Sequence, residues 1–365
     1  MNKIAFGALA VLMLGILLIS GCRPPEVEGT VINIQKSLYD EALVSAQSAV
    51  EKYPDNAEAW FYWGWLYGDY KKDYEKMNEG FEKALKLNPA QKVTFMGQSV
   101  TLKTAIEQYR NSKFADNYNS AIKIIPQAQQ TEDPEKKQKL FESALKKLQL
   151  AMRIHPARTE PYRPLALSYL ALGDTAAALE TVEKGLERTP NDETLLIGSG
   201  EIYMMTKSYD KAAEAFQKAL EINPNNALVY QKLGNLEAAR DDWTKANEYY
   251  TKAMEMEPDN ADLAYNIGVG LYKQEQYTEA IPYFRKALEA NPDDLLTTRI
   301  LGICYVQAEK NEEGLEFLKE AVQRFPDEAS LYEYMAILYG RLGKTKEAEE
   351  AFNRSKELKE MEGSK

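Results

Sequence analysis

Few side chains in this sequence could carry out catalysis. His155 is the single histidine of the 365 residues, and it directly precedes Pro156. Two cysteines, Cys22 and Cys304, are too few for a disulfide framework or a cysteine metal cluster. No GxxxxGK(S/T) phosphate-binding motif occurs, and many Asp and Glu residues stand beside Lys at spacings that suit surface ion pairs. We therefore expect no catalytic residue, metal site or cofactor, and for His155 we expect hydrogen bonding at a helix C-terminus.

Cys22 has surroundings that indicate a covalent modification. Lys3 is followed by an apolar run of 16 residues, Ile4 to Ile19, and then by Ser20 and Gly21. A positive head, a short apolar stretch and small residues at its end are typical of a secretory signal. A membrane-spanning helix needs about 20 apolar residues. The alternative is a plain anchor helix that happens to end in a cysteine.

The tetrad Ile19-Ser20-Gly21-Cys22 resembles the signal of bacterial lipoproteins. The resemblance implies that residues 1–21 are a signal peptide, that cleavage occurs before Cys22, and that Cys22 then carries fatty acyl chains such as palmitate. In that family an Asp after the cysteine favours retention in the inner membrane, and here Arg23 follows it. The resemblance therefore implies an outer-membrane anchor with the chain facing the periplasm, on a lipidated tether of residues 22–35.

Six prolines recur at a fixed spacing of 34 residues from residue 156 onward: Pro156, Pro190, Pro224, Pro258, Pro292 and Pro326. A fixed period of this length indicates a repeat protein. In one unit, residues 193–226, apolar residues fall at helical spacing in both halves, which predicts two amphipathic helices joined by a short turn. Pro224 is expected to end the second helix, and Asn226 to cap the next one.

These units resemble the tetratricopeptide repeat, because small, aromatic and proline residues stand at that family's positions. The unit after Asn226 supplies seven of them: Tyr230, Leu233, Gly234, Ala246, Tyr250, Ala253 and Pro258. Four neighbouring units match in the same register. The resemblance implies an all-α fold, a right-handed α-solenoid of helix-turn-helix repeats.

The pattern divides the chain into segments. Residues 36–90 are expected to hold N-terminal repeats, the first of them degenerate because residues 24–36 make a poor helix. Residues 91–137 break the spacing and predict an insertion with one long helix over about 100–125, followed by a polar hinge. It either joins two sub-arrays or binds a partner. Residues 138–365 are expected to form the regular array, with a polar C-terminal capping helix.

The repeat resemblance also implies an inner, concave surface lined by the first helix of each pair. Three of the four tryptophans fall in the aromatic block of residues 59–70, where two side chains are assigned to this surface. The candidate partner-binding residues are Phe61, Trp65, Met204, Gln231, Asn235, Tyr265, Asn266, Tyr272 and Arg299. Their apolar, aromatic and amide character suits an extended segment or a helix of a partner protein.

The sequence thus predicts a non-enzymatic, lipid-anchored adaptor or scaffold of the bacterial cell envelope. The alternative is a structural or glycan-binding envelope lipoprotein, in which the aromatic block stacks on the sugars of peptidoglycan. The net charge of -11 opposes binding to nucleic acid, and contact with the membrane is expected through the lipid alone. Whether the chain forms homo-oligomers stays open.

Overall fold

The computed structural model describes residues 23–362, which form helices and one β-hairpin. The helices are α1 (Pro25–Gln35), α2 (Tyr39–Lys52), α3 (Ala57–Leu66), α4 (Tyr74–Leu87), α5 (Leu102–Gln130), α6 (Pro134–Ile154), α7 (Tyr162–Ala171), α8 (Thr175–Arg188), α9 (Glu193–Met205), α10 (Tyr209–Ile222), α11 (Ala227–Ala239), α12 (Trp243–Met256), α13 (Ala261–Lys273), α14 (Tyr277–Ala290), α15 (Leu295–Gln307), α16 (Asn311–Arg324), α17 (Ala329–Arg341) and α18 (Thr345–Glu362). The hairpin strands are β1 (Lys92–Phe95) and β2 (Gln98–Thr101). The chain divides into two compact units, with the boundary between Thr181 and Val182.

In the second unit the predicted pairs of helices are present from α9 to α18, which confirms the all-α repeat fold. Each inner proline lies between the end of a second helix and the cap of the next first helix; Pro224, for example, follows α10. The predicted cap Asn226 accepts a hydrogen bond from the backbone N–H of Val229, 3.3 Å away. Asp192 and Asp294 cap α9 and α15 in the same way. A side-chain acceptor at this place satisfies an N–H that the helix leaves unpaired.

The turns inside the pairs share a left-handed residue that recurs every 34 residues. Positive φ angles occur at Gly173, Lys207, Asp241, Glu275, Glu309 and Gly343. Glycine adopts this conformation without steric cost, whereas a side chain with a Cβ crowds the backbone. Four of the six turns therefore carry local strain. In the sequence, only the two glycines indicate that this position has a left-handed conformation.

Replacing Glu275 with glycine should stabilise the chain by about 0.5–1 kcal/mol, because φ at this position is +58°. The measurement is the urea midpoint followed by circular dichroism. Gly173→Ala is the converse control, since φ there is +80° and an added Cβ meets no atom within 4 Å. That control should lose stability through backbone strain alone. An unchanged midpoint in both variants would contradict the strain argument.

The N-terminal segment differs from the predicted tether. Residues 25–35, which we expected to be part of a lipidated tether over 22–35, form α1, and the expectation that they make a poor helix is wrong. Pro25 starts the helix, where its missing N–H costs nothing. Val27 and Val31 are buried, and α1 packs on α2 and α3. Burial of the apolar face outweighs the weak helix propensity of its β-branched residues, so the first repeat is a complete helix pair.

The predicted insertion over 91–137 also has a different form. It begins with the hairpin, whose strands pair in antiparallel register from Lys92–Thr101 to Phe95–Gln98. The long helix then runs from Leu102 to Gln130, five residues beyond the predicted end, with Pro126 inside it. The expected polar hinge shrinks to residues 131–133. α5 and α6 pack along each other around Ala121 and Leu148, so they form a further helix pair of the first unit.

Candidate partner-binding surface

The one histidine lies at the C-terminal end of α6. The backbone N–H of His155 donates to the carbonyl of Ala151, a bond that a residue of any type could make at this place. Its buried Nδ1 has no hydrogen-bond partner, and its ring stands edge-on to Phe114. Burial, together with the charges of Arg110 and Arg158, lowers the pKa of the imidazole. The carboxylate of Glu160, which opposes this shift, is itself paired with Arg158 at 2.6 Å.

The other candidate for chemistry in the described residues is a thiol. Cys304 lies fully buried on α15, and burial raises the pKa of its thiol to about 12. It therefore packs as a small apolar side chain. Across residues 23–362, no group of three or more His, Cys, Asp or Glu side chains could hold a metal ion. Cys22, the predicted lipidation site, lies outside the described residues.

Phe61 does not belong to an exposed surface, which corrects its prediction as a partner-binding residue. Its side chain has no solvent exposure and stacks on Phe81, with 5.9 Å between ring centroids. Phe95 of β1 stands edge-on to Phe61 at 6.0 Å. The hairpin, which we did not predict, therefore covers the side of α3 that was expected to be open. A two-residue Met-Gly connection between segments rich in Val and Thr was the available signal for it.

The remaining aromatic block is equally occupied with packing. Trp60 donates its indole N–H to the carbonyl of Pro54, and Lys83 lies over its ring at 3.9 Å. Trp63 is buried and donates to Gln47. Trp65 is half-buried and packs against the two apolar clusters of the first unit's N-terminal part. The three tryptophans are thus held by contacts within the first unit, whereas Tyr70 at the end of the block is 36% exposed.

The second unit presents exposed apolar side chains on its first helices. Met205, Leu228 and Leu296 are 64%, 47% and 57% exposed and belong to α9, α11 and α15. In this unit first helices contact each other across repeats, α9 with α11 and α15 with α17, more extensively than second helices do. The first helices therefore lie on the inside of the local curvature. We call their exposed side the inner surface; its residues are Met204, Met205, Leu228, Gln231, Asn235, Tyr265, Asn266, Tyr272, Leu296 and Arg299.

Five of the predicted candidates border this inner surface with partial exposure: Met204, Gln231, Asn235, Tyr265 and Asn266. Tyr265 is held edge-on to Phe284 at 6.0 Å. The amide oxygen of Asn235 accepts a hydrogen bond of 2.8 Å from the hydroxyl of Tyr250. That carbonyl is already used, so Gln231 and Asn266 are the better amides for a bound segment.

Tyr272 and Arg299 complete the predicted set. Tyr272 is half-buried and stands edge-on to Tyr277 at 5.7 Å. Arg299 is exposed, with its Nε 3.7 Å from a carboxylate oxygen of Glu328. A second basic side chain, Lys232 on α11, is also paired: its Nζ lies 2.8 Å from a carboxylate oxygen of Glu201. The sequence pattern did not show this pair. Both cations thus have carboxylate partners, and between Leu228 and Leu296 the equivalent position on α13 is the exposed Asp262.

Comparison with known families agrees with the repeat geometry. Residues 185–295 match the tetratricopeptide repeat domain of cytochrome c-type biogenesis protein H. Residues 165–192 and 271–332 match further tetratricopeptide repeat families. Residues 165–332 are therefore tetratricopeptide repeats. Residues 39–69 also match the repeat of the protein prenyltransferase alpha subunit, a stretch that covers α2 and α3.

Solved structures with similar folds include PilF of Pseudomonas aeruginosa, at 16% identity over 62% of this chain and 99% of that one, with a TM-score of 0.49. YrrB, described as a repeat protein with an unusual peptide-binding site, is 23% identical over 51% of this chain and 96% of its own, with a TM-score of 0.42. A tetratricopeptide repeat protein of Parabacteroides merdae is 16% identical over 68% and 93%, at 0.44. No protein of curated function matches the chain.

Tetratricopeptide repeats suggest a role in protein–protein interaction, as an adaptor or scaffold. None of the helices between residues 23 and 362 is both long enough and apolar enough to cross a membrane.

Proposed function

We propose that this chain is a non-enzymatic adaptor that holds a segment of a partner protein on the inner surface of its second unit. The observation that carries the proposal is the exposure of three large apolar side chains on first helices of one unit: Met205 on α9, Leu228 on α11 and Leu296 on α15. Large apolar side chains exposed together mark interaction sites more often than isolated ones do. Leu228 and Leu296 are each the second residue of their helix, so the repeat places them at equivalent positions of the array.

The chemistry of the inner surface restricts the segment it would take. In the bound segment, apolar side chains at intervals would cover Leu228 and Leu296. The backbone amides of the segment would form hydrogen bonds with the side chains of Gln231 and Asn266. The pairing of Lys232 with Glu201, and of Arg299 with Glu328, disfavours a partner recognised mainly by its charge. An extended segment or an amphipathic helix with apolar anchors fits best.

We expect Leu228→Glu/Leu296→Glu to abolish partner capture without lowering the melting temperature, because both side chains are exposed. The measurement is cross-linking of the tagged full chain in bacterial cells, followed by mass spectrometry. Ile222→Glu is the matched control: Ile222 is 44% exposed, but it belongs to a second helix, α10. Capture that survives the double substitution and is lost in the control would place the partner on the other side of the unit.

We further propose that the chain is attached to a bacterial envelope membrane by acyl chains on Cys22. The apolar run and the Ile19-Ser20-Gly21-Cys22 tetrad support this attachment. The outer membrane, with the chain facing the periplasm, is the proposed location because Arg23 follows the cysteine. Incorporation of labelled palmitate, compared with Cys22→Ser, tests the attachment. Density-gradient separation of the two membranes tests the location.

A further inference from the structure

One segment of this acidic chain is basic. Lys83, Lys86, Lys92 and Lys103 are its charged residues between Glu82 and Glu107, in a sequence whose net charge is -11. Lys83 is engaged by Glu79 and by the ring of Trp60. The other three are exposed, and within residues 23–362 none of them forms an ion pair with a carboxylate. Lys86 precedes the hairpin, Lys92 lies in its first strand, and Lys103 follows its second strand.

The tip of this hairpin carries an exposed apolar side chain. Met96 is 72% exposed and sits in the turn with Gly97, at φ angles of +52° and +77°. Two positive φ angles define the tight turn that suits the twist of paired strands. Leu87, at the end of α4 just before the hairpin, is 39% exposed. An apolar tip among unpaired lysines is a composition suited to the interface of an anionic membrane.

The hairpin and the start of the described chain lie against the same part of α3. Arg23 makes two hydrogen bonds to Glu58, of 2.8 and 3.1 Å. Tyr62, one helical turn further along α3, donates its hydroxyl to the carbonyl of Thr94 in β1, 3.4 Å away. Glu58 and Tyr62 are both buried, so these contacts are part of the folded unit. In the sequence, Arg23 and Pro24 alone separate Cys22 from the first residue of α1.

We propose that the hairpin surface, formed by Met96, Lys86, Lys92 and Lys103, rests on the anionic lipid surface of the membrane that holds the N-terminus. The proposal builds on the proposed lipid attachment at Cys22. Once one end of the chain is fixed on a membrane, a second weak contact nearby becomes effectively intramolecular. A few lysines and one methionine, too weak to recruit a free chain, then suffice to orient an attached one.

The test uses the full chain, purified in detergent and reconstituted into phosphatidylcholine vesicles with or without phosphatidylglycerol. The thiol introduced by Met96→Cys is reacted with a water-soluble maleimide. Glu132→Cys, an exposed loop position of the same unit, is the matched control. With phosphatidylglycerol, we expect the labelling rate of the Met96→Cys variant to fall about ten-fold, since each lysine near an anionic surface contributes several-fold in affinity. The control should be unaffected.

Adding Lys86→Gln, Lys92→Gln and Lys103→Gln should restore the labelling rate. Equal labelling of the Met96→Cys and Glu132→Cys variants on anionic vesicles would overturn the proposal. Protection that persists without phosphatidylglycerol, or after the three lysine substitutions, would also overturn it and indicate contact with a second copy of the chain. Mass spectrometry of the same preparation reports the acyl chains on Cys22. A missing lipid attachment would therefore be detected by mass spectrometry, and a missing hairpin contact by the labelling rate.

Discussion

Gly80→Ala should destabilise the first unit by about 1–3 kcal/mol, and by more if α3 and α4 cannot move apart. A Cβ at Gly80 would lie 2.8 Å from the Cα of Gly64 and 2.8 Å from the carbonyl oxygen of Trp60. Both are backbone atoms, so no change of rotamer relieves the overlap. The measurement is urea unfolding followed by tryptophan fluorescence, which reports mainly on this unit because it holds three of the four tryptophans.

Gly29→Ala is the control for this prediction. Gly29 lies inside α1 of the same unit, and a Cβ there would meet only the hydroxyl oxygen of Ser45, at the ordinary contact distance of 3.8 Å. Alanine favours a helix over glycine by about 1 kcal/mol, so this variant should be unchanged or slightly more stable. If both glycine variants lost stability equally, the close approach of α3 and α4 would not be the cause. If neither did, the backbone contact at Gly80 would be wrong.

Arg23→Ala should destabilise the first unit by about 1–3 kcal/mol at neutral pH, because it leaves a buried carboxylate without its partner. The side chain of Glu58 is 7% exposed, and that of Arg23 is 31% exposed. Removing one member of a fully buried pair costs about 3–5 kcal/mol, and the partial exposure of Arg23 reduces that figure. Lys71→Ala, which breaks an exposed pair with Asp40, should cost well under 1 kcal/mol.

The pH dependence of Arg23→Ala follows from the pKa of Glu58. Burial raises that pKa above its ordinary value of 4.5, and Arg23 opposes the rise. Without Arg23 the pKa of Glu58 rises further, so the folded chain retains a proton that the unfolded chain has released. The loss of stability should therefore be largest at neutral pH and shrink as the pH falls toward 4.5. Adding Glu58→Gln should flatten this profile; a deficit independent of pH would refute the buried pair.

The repeated part of the fold could be predicted from the sequence. Pro224 and its equivalents, the cap Asn226 and the core residues Phe216, Tyr250 and Phe284 stand where the 34-residue period places them, and all three rings are buried. A repeat contacts mainly its neighbours, so local periodicity contains most of the information about its packing. Gln231, Tyr265 and Asn266 are partly exposed on first helices, and their role in partner binding stays a prediction.

The tertiary structure alone decided the first unit's surface. Phe61 has the spacing of an inner-surface residue, but Phe95, 34 positions away, covers it from a hairpin outside the repeat pattern. α1 forms because Val27 and Val31 find an apolar surface on α2 and α3, whereas its own sequence favours helix weakly. Arg23, which the sequence presented as a sorting signal, is also tied to Glu58 across 35 positions. Such contacts depend on which segments pack together in the folded chain, and the local period of the sequence does not predict them.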